Sequence, residues 1–216
     1  MAGAAIAAAA APRGKRSHTT ERGLVRAEAI LVAAHEVFVN EGYGGFSMRS
    51  VAARVGVSLS TVQHYYPSKE LLVDAMLLAS AARYQQAIDA IVRAMPRASR
   101  LDQFLAAMEM FLAEMKHPAV IDGLVQMWAA ARVDAHVAQT VARIQTRERK
   151  TIRNLIAGIR PDASERDCEA RAALIVAQIE GLVLQHTSLQ GLPAVQGEAI
   201  DEAARASFRW LATHRA

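Results

Sequence analysis

A single cysteine, Cys168, stands in a chain of 216 residues. It excludes an intrachain disulfide and any site built from several thiolates, and it suits a reducing cytoplasm. Aromatic residues make up only 5% of the chain, prolines number 6, and no long Val/Ile/Thr run alternates with period two. Strands are therefore not expected. No apolar run reaches the roughly 20 residues that a membrane span needs. Met1 to Pro12 is almost pure alanine, but no basic residue precedes it as in a secretory signal; Arg13, Lys15 and Arg16 come after it. Residues 1–19 are expected to be a flexible arm, either an untethered tail or one whose basic residues reach along a partner. Catalytic signatures are missing as well. There is no Gly-x-Ser-x-Gly, phosphate loop or His-Glu-x-x-His. Glu114-Met-Lys-His117 is one Glu-x-x-His element, and a carboxylate-bridged metal site needs a second, which the chain lacks. No enzyme, cofactor or metal site is expected.

What remains is a helix-forming composition, 52% hydrophobic and rich in alanine and leucine, long enough for one or two compact helical units. The segment from Ser47 to Leu72 is the most informative. Ser47 sits where an N-cap belongs, and Met48, Val51, Ala52 and Val55 follow at i, i+3, i+4 and i+7. Gly56 stands where a left-handed residue ends a helix. Ser58 is the next N-cap and opens Leu59 to Tyr66, with Val62 and Tyr66 on the inward side. Leu59, Ser60, Thr61, Gln63, His64 and Tyr65 form a mostly polar outer side. Pro67 stops that helix, and Ser68 caps another beginning at Lys69. This is the layout of a helix-turn-helix. A helical corner in an all-α enzyme or scaffold, with solvated polar residues, has the same spacing. Charge favours DNA: residues 1–69 carry eight Lys/Arg against four Asp/Glu, and the remainder carries seventeen of each.

The pieces Gly56-Val57-Ser58, Thr61 through Tyr66, and Ser68-Lys69-Glu70-Leu71-Leu72 resemble the DNA-binding domain of the TetR/AcrR transcriptional regulators. Phe38 and the Gly42-Tyr43 turn fit the same pattern, over roughly residues 20–75. Ser60 stands where many members have glycine, and Gln63 where many have tyrosine. The C-terminal half, with Met127-Trp-Ala-Ala-Ala-Arg132 and Ile179-Glu-Gly-Leu-Val-Leu-Gln185, more distantly resembles the choline-responsive repressor subgroup of betaine synthesis.

The expected fold is all-α: an N-terminal three-helix helix-turn-helix DNA-binding domain at 20–68, then a six-helix regulatory and dimerisation domain at 69–216. Periodicity and breakers place helices at about Thr20–Asn40, Met48–Val55, Leu59–Tyr66, Lys69–Met95, Leu101–Lys116, Ala119–Ala131, Val133–Ile159, Glu165–Gln190 and Gly197–His214. The buried stripe of the fourth is read as Leu71, Leu72, Ala75, Leu78 and Ala82. The resemblance implies a homodimer whose last two helices pair with their mates. Leu174, Gln178, Gly181, Leu182, Gln185, Leu189, Phe208 and Leu211 are its candidate interface, with Trp210 beside them; a wholly intramolecular core is the competing reading.

The implied function is a cytoplasmic, bacterial, ligand-responsive repressor on a palindromic double-stranded operator, with no membrane partner. Ser60, Thr61, Gln63 and His64 are the candidates for base edges, Gln being matched to adenine N6/N7. Tyr65 and Lys69 are candidates for phosphates, the start of the Lys69 helix adding its own pull on an anion. Ser47 combines cap and phosphate contact, and Ser58 and Leu59 complete the DNA-binding set. Phe104, Met108, Phe111, Met115, Met127, Trp128 and Gln178 are candidates to line a small-molecule cavity, although the same residues suit a plain core. Trp128 with Glu180 suits a cation, and an apolar effector fits as well. Two competing readings are a DNA-binding protein without an effector and a helical interaction scaffold.

Overall fold

The computed structural model describes residues 21–188 and 194–214. These residues form nine helices: α1 (Glu21–Gly45), α2 (Met48–Val55), α3 (Leu59–Tyr65), α4 (Lys69–Ala94), α5 (Arg100–Glu114), α6 (Pro118–Val133), α7 (Ala135–Ile156), α8 (Glu165–Ser188) and α9 (Ala194–Thr213). Among the described residues no strand forms; one isolated bridge joins Ala157 and Arg160. The expected arm at 1–19 and Leu189 lie outside the described residues.

The helices divide into two compact units. The first takes the described residues up to Gln86 and adds Val125–Ile144; the second takes Ala87–Leu124 and everything from Gln145 onward. Neither packing boundary coincides with position 68/69. The helix-turn-helix shares its unit with most of α4, the end of α6 and the first half of α7.

In the first unit, α1 buries Ile30, Leu31, Ala33, Ala34, Val37 and Phe38, the stripe expected of an amphipathic helix. The helix bends at Gly42, where φ is 65° and ψ 178°, a conformation open to glycine and strained for other residues. Phe38 meets Phe46 edge-on, ring centroids 6.2 Å apart, where the chain turns from α1 into α2. α4 buries Leu72, Val73, Met76, Leu77, Ala79 and Ala82, but Leu71 is 50% exposed. The stripe is therefore rotated from the one expected. Adjacent positions differ by about 100° around a helix, and only packing selects between Leu71 and Val73. Val133 likewise ends α6 instead of opening α7. Asp134 sets that boundary: its Oδ1 accepts from the N–H groups of His136 (2.8 Å) and Val137 (3.1 Å), capping α7. Farther along, the Asp74 carboxylate accepts from Thr140 Oγ1 and from Arg143 Nη2 (3.1 Å), and lies 3.0 Å from His136 Nε2.

The second unit has its own core of Ile88, Phe104, Met108, Leu112, Ile152, Ile156, Ile175 and Phe208, drawn from α4, α5, α7, α8 and α9. Two arginines hold the end of α9. Arg171 Nη1 donates to the Leu211 carbonyl and Arg160 Nη1 to that of His214, each at 2.6 Å. Both also pair with Asp167. The last carbonyls of a helix have no partner within it, and cations there complement the negative end of its dipole. Asp201 on α9, 3% exposed, pairs with Lys116 in the turn between α5 and α6.

Candidate nucleic-acid interface

Four local devices shape the helix-turn-helix. Ser47 Oγ accepts from the Ser50 N–H, and Ser50 Oγ accepts in return from the Ser47 N–H, both at 3.1 Å. This reciprocal capping box starts α2. Gly56 ends it in the left-handed region at φ 73°, ψ 39°, and Val57 N–H returns to the Ala52 carbonyl at 3.0 Å. Ser58 Oγ accepts from the Thr61 N–H at 3.1 Å and opens α3. Ser68 Oγ accepts from the Leu71 N–H at 3.2 Å at the start of α4. Its hydroxyl and the helix-start N–H of Glu70 hold the Glu70 carboxyl below its usual range, the backbone bond being the larger cause.

The orientation of α3 follows from two buried anchors. Val62 is fully buried and Tyr66 is 4% exposed. Tyr66 lies just beyond the helix, at φ −134°, and not on it as expected, because Pro67 forces the preceding residue toward extended backbone. Burial, followed by the neighbouring Tyr65, pushes the Tyr66 phenol up to about 12. With those two inward, Ser60, Gln63 and His64 are exposed, while Leu59, Thr61 and Tyr65 are half-buried. His64 and Tyr65 meet edge-on at 5.2 Å. The Ser60 and Thr61 hydroxyls both lie 2.8 Å from Ser58 Oγ, so three hydroxyls converge at the start of α3. That cluster was not foreseen, although the Ser-x-Ser-Thr spacing carries its signal.

The seat of the Lys69 side chain on Tyr43 is the other feature that the sequence did not disclose. The ammonium donates to the Tyr43 carbonyl at 3.3 Å and sits 4.2 Å above the Tyr43 ring. The Tyr43 hydroxyl in turn donates to Asp134 Oδ2 at 2.5 Å. Desolvation and that carboxylate push the phenol far up, and the Tyr43 bond is the largest cause holding the Asp134 carboxyl below its usual range. Residues 43 and 134 are 91 positions apart, and no local pattern links them.

Residues 30–76 match the family model of bacterial regulatory proteins, tetR family, and residues 97–209 match the BetI-type transcriptional repressor, C-terminal model. The chain belongs to the TetR family. It is a DNA-binding transcriptional regulator of BetI-like repressor type and not an enzyme. Among similar proteins, the HTH-type transcriptional regulator BetI of Rhizobium meliloti (strain 1021) is 28% identical over 171 residues, 78% of this chain and 81% of its own length. Two solved structures share the TetR fold. A transcriptional regulator from Rhodococcus sp. Rha1 has 23% identity and a TM-score of 0.66, covering 86% of this chain and 95% of that one. A TetR transcription regulator from Haloarcula marismortui ATCC 43049 has 21% identity and a TM-score of 0.67, covering 87% and 96%.

The other candidate residues of this TetR chain are spread more widely. Phe104 and Met108 are buried in the core of the second unit with Phe111 packed against it, and Met115 is buried. Gln178 Oε1 accepts from Ser207 Oγ at 2.9 Å, joining α8 to α9. Met127 and Trp128 belong instead to the first unit. Of the expected dimer surface, Leu174, Gly181 and Gln185 are exposed and share one side of α8, while Leu182, Phe208 and Leu211 are buried in the protomer's own core. Leu184 (48%) and Trp210 (55%) are exposed apolar residues on α8 and α9. Among the described residues, no helix is long and apolar enough to cross a membrane.

Proposed function

We propose that this TetR-family protein is a dimeric repressor that reads a two-fold-related operator with α3 and leaves it when a small molecule binds. The observation that carries this reading is the split of α3: Val62 and Tyr66 fix one side in the core, and Ser60, Gln63 and His64 stand exposed on the other. A short helix with that division presents hydrogen-bonding groups to a major groove. Ser60, Thr61, Gln63 and His64 are assigned to base edges, with Ser58 and Leu59 at the helix start. Ser47, Tyr65 and Lys69 are assigned to phosphates. The functional division is residues 20–68 for DNA and 69–216 for sensing and dimerisation, in the cytoplasm.

The exposed stripe of Leu174, Gly181 and Gln185 on α8, together with exposed Leu184 on the same helix and exposed Trp210 on α9, supports pairing of α8 and α9 with a second copy. Such a dimer places two α3 helices on successive major grooves about 34–36 Å apart. Phe104, Met108, Phe111, Met115 and Gln178 are the residues of the second unit assigned to the effector.

Pull-down of genomic fragments followed by sequencing supplies the operator. Fluorescence anisotropy on that duplex then tests the residues. Gln63→Ala is expected to relax sequence preference by about 1–3 kcal/mol at one base pair. Lys69→Ala is expected to weaken all duplexes and reduce the salt slope by about 1. Failure to retain any duplex at low salt defeats the reading, and so does full affinity in both variants.

A further inference from the structure

We propose that Asp134, far outside the helix-turn-helix, is a positioning residue for DNA binding: through the Tyr43 phenol it holds the platform on which the Lys69 ammonium rests. This inference rests on the assignment of Lys69 to a phosphate and extends it.

The chain of contacts is short. Lys69 has a flexible stem and three donors. The Tyr43 carbonyl takes one donor at 3.3 Å, and the ring supports the charge at 4.2 Å. The remaining donor capacity is available to an oxygen of DNA. A lysine already confined on a platform loses less freedom on binding than one that swings free. The platform itself must be fixed. Gly42 turns the chain with a positive φ and lies against α6: a Cβ there would stand 2.8 Å from Gln126 Oε1. The Tyr43 hydroxyl is anchored by Asp134 Oδ2 at 2.5 Å. The other oxygen of the same carboxylate caps α7 through His136 and Val137. One side chain therefore joins the first turn of α7 to the tyrosine beneath Lys69. Asp74 supplies a second tie, from α4 to Thr140 and Arg143 on α7. A rotation of the first turn of α7 moves the carboxylate and with it the platform. Operator affinity then depends on the α6–α7 junction as well as on α3.

Three substitutions separate positioning from bulk structure. Tyr43→Phe keeps the ring and removes the hydroxyl. Asp134→Ser keeps an N-cap for α7 and is too short to reach Tyr43. Asp134→Asn keeps one oxygen for the α7 cap and gains an amide N–H that can donate to the phenol oxygen, so the tie persists with its direction reversed, and it serves as the conservative rescue. The measurement is Kd for the operator duplex across a salt series, alone and in the Lys69→Ala background, with thermal unfolding alongside. Tyr43→Phe and Asp134→Ser are each expected to weaken binding about three- to tenfold and to flatten the salt dependence, with Asp134→Asn close to wild type. In the Lys69→Ala background both effects are expected to vanish, since coupled residues are non-additive. If Lys69→Ala weakens binding but Tyr43→Phe and Asp134→Ser do not, positioning is refuted and the phosphate assignment stands. If Lys69→Ala changes nothing, both fall. Equal losses with and without Lys69 show a general structural effect and overturn the inference. Should Asp134→Ser fail to fold, Tyr43→Phe and Asp134→Asn decide by the same comparison.

Discussion

Glu148 on α7 faces an unfavourable electrostatic setting in the second unit. Its carboxyl is desolvated and feels the negative charge of Glu180 on α8, with Arg149 acting in the opposite direction; the result is a rise from 4.5 to about 7. Glu180 itself accepts from Gln145 Nε2 at 2.9 Å. The folded protein thus holds this proton more tightly than the unfolded chain does. Below about pH 4.5 both states are protonated and the full stability is present. As pH rises from 4.5 toward 7 the unfolded chain ionises first, and stability falls; above the folded value the loss is complete. A shift of that size corresponds to roughly 3 kcal/mol at most, and water reaching a partly exposed side chain lowers it toward ~1 kcal/mol. Glu148→Gln keeps the shape and removes the charge. At pH 8 the variant is expected to be more stable by about 1–3 kcal/mol, a rise in Tm of roughly 2–10 °C for a chain of this size. Near pH 5 the two proteins should nearly coincide. Thermal denaturation followed by circular dichroism at pH 5, 6, 7 and 8, at one protein concentration, makes the comparison. A gap that does not widen with pH, or a variant less stable than wild type at pH 8, refutes the reasoning.

Two further substitutions test the second unit. Phe208 is fully buried, and Phe208→Ala is expected to cost about 3–5 kcal/mol, read from the urea midpoint. Lys116→Met leaves the buried Asp201 carboxylate without its cation and is expected to cost about 2–4 kcal/mol. Asp201→Asn should cost clearly less in the same titration, because no charge then remains to be stranded.

The start and end of the short helices were legible because their determinants are local. Ser47, Gly56, Ser58 and Ser68 each satisfy or relieve backbone groups within four residues of themselves, so a window of the sequence contains the whole cause. The inward pair Val62 and Tyr66 was legible for the same reason. The stripe of α4 was not: Leu71 and Val73 are both apolar, and which one joins Leu72 inside depends on neighbours distant in the chain. Phe208 and Leu211 show a related limit. Periodicity marks them as buried, but it does not say whether the covering surface belongs to the same protomer or to a second copy. In this structure the protomer's own core covers both. Tyr43 and Asp134 illustrate the hardest case, a single hydrogen bond between polar residues that each have a plausible local role: one follows a glycine turn, the other precedes a helix. Their pairing exists only because the α6–α7 junction packs in the same unit as the end of α1.

The first unit is assembled from two separated stretches of chain, and this has a consequence during synthesis. A ribosome adding about 5–20 residues per second needs roughly 3–12 s to proceed from Gln86 to Ile144. For most of that interval the nascent helix-turn-helix is present, while Asp134, Thr140 and Arg143, the partners of Tyr43 and Asp74, are added only near its end. Premature termination before residue 125 therefore yields a polypeptide with an intact recognition segment and an unanchored Tyr43.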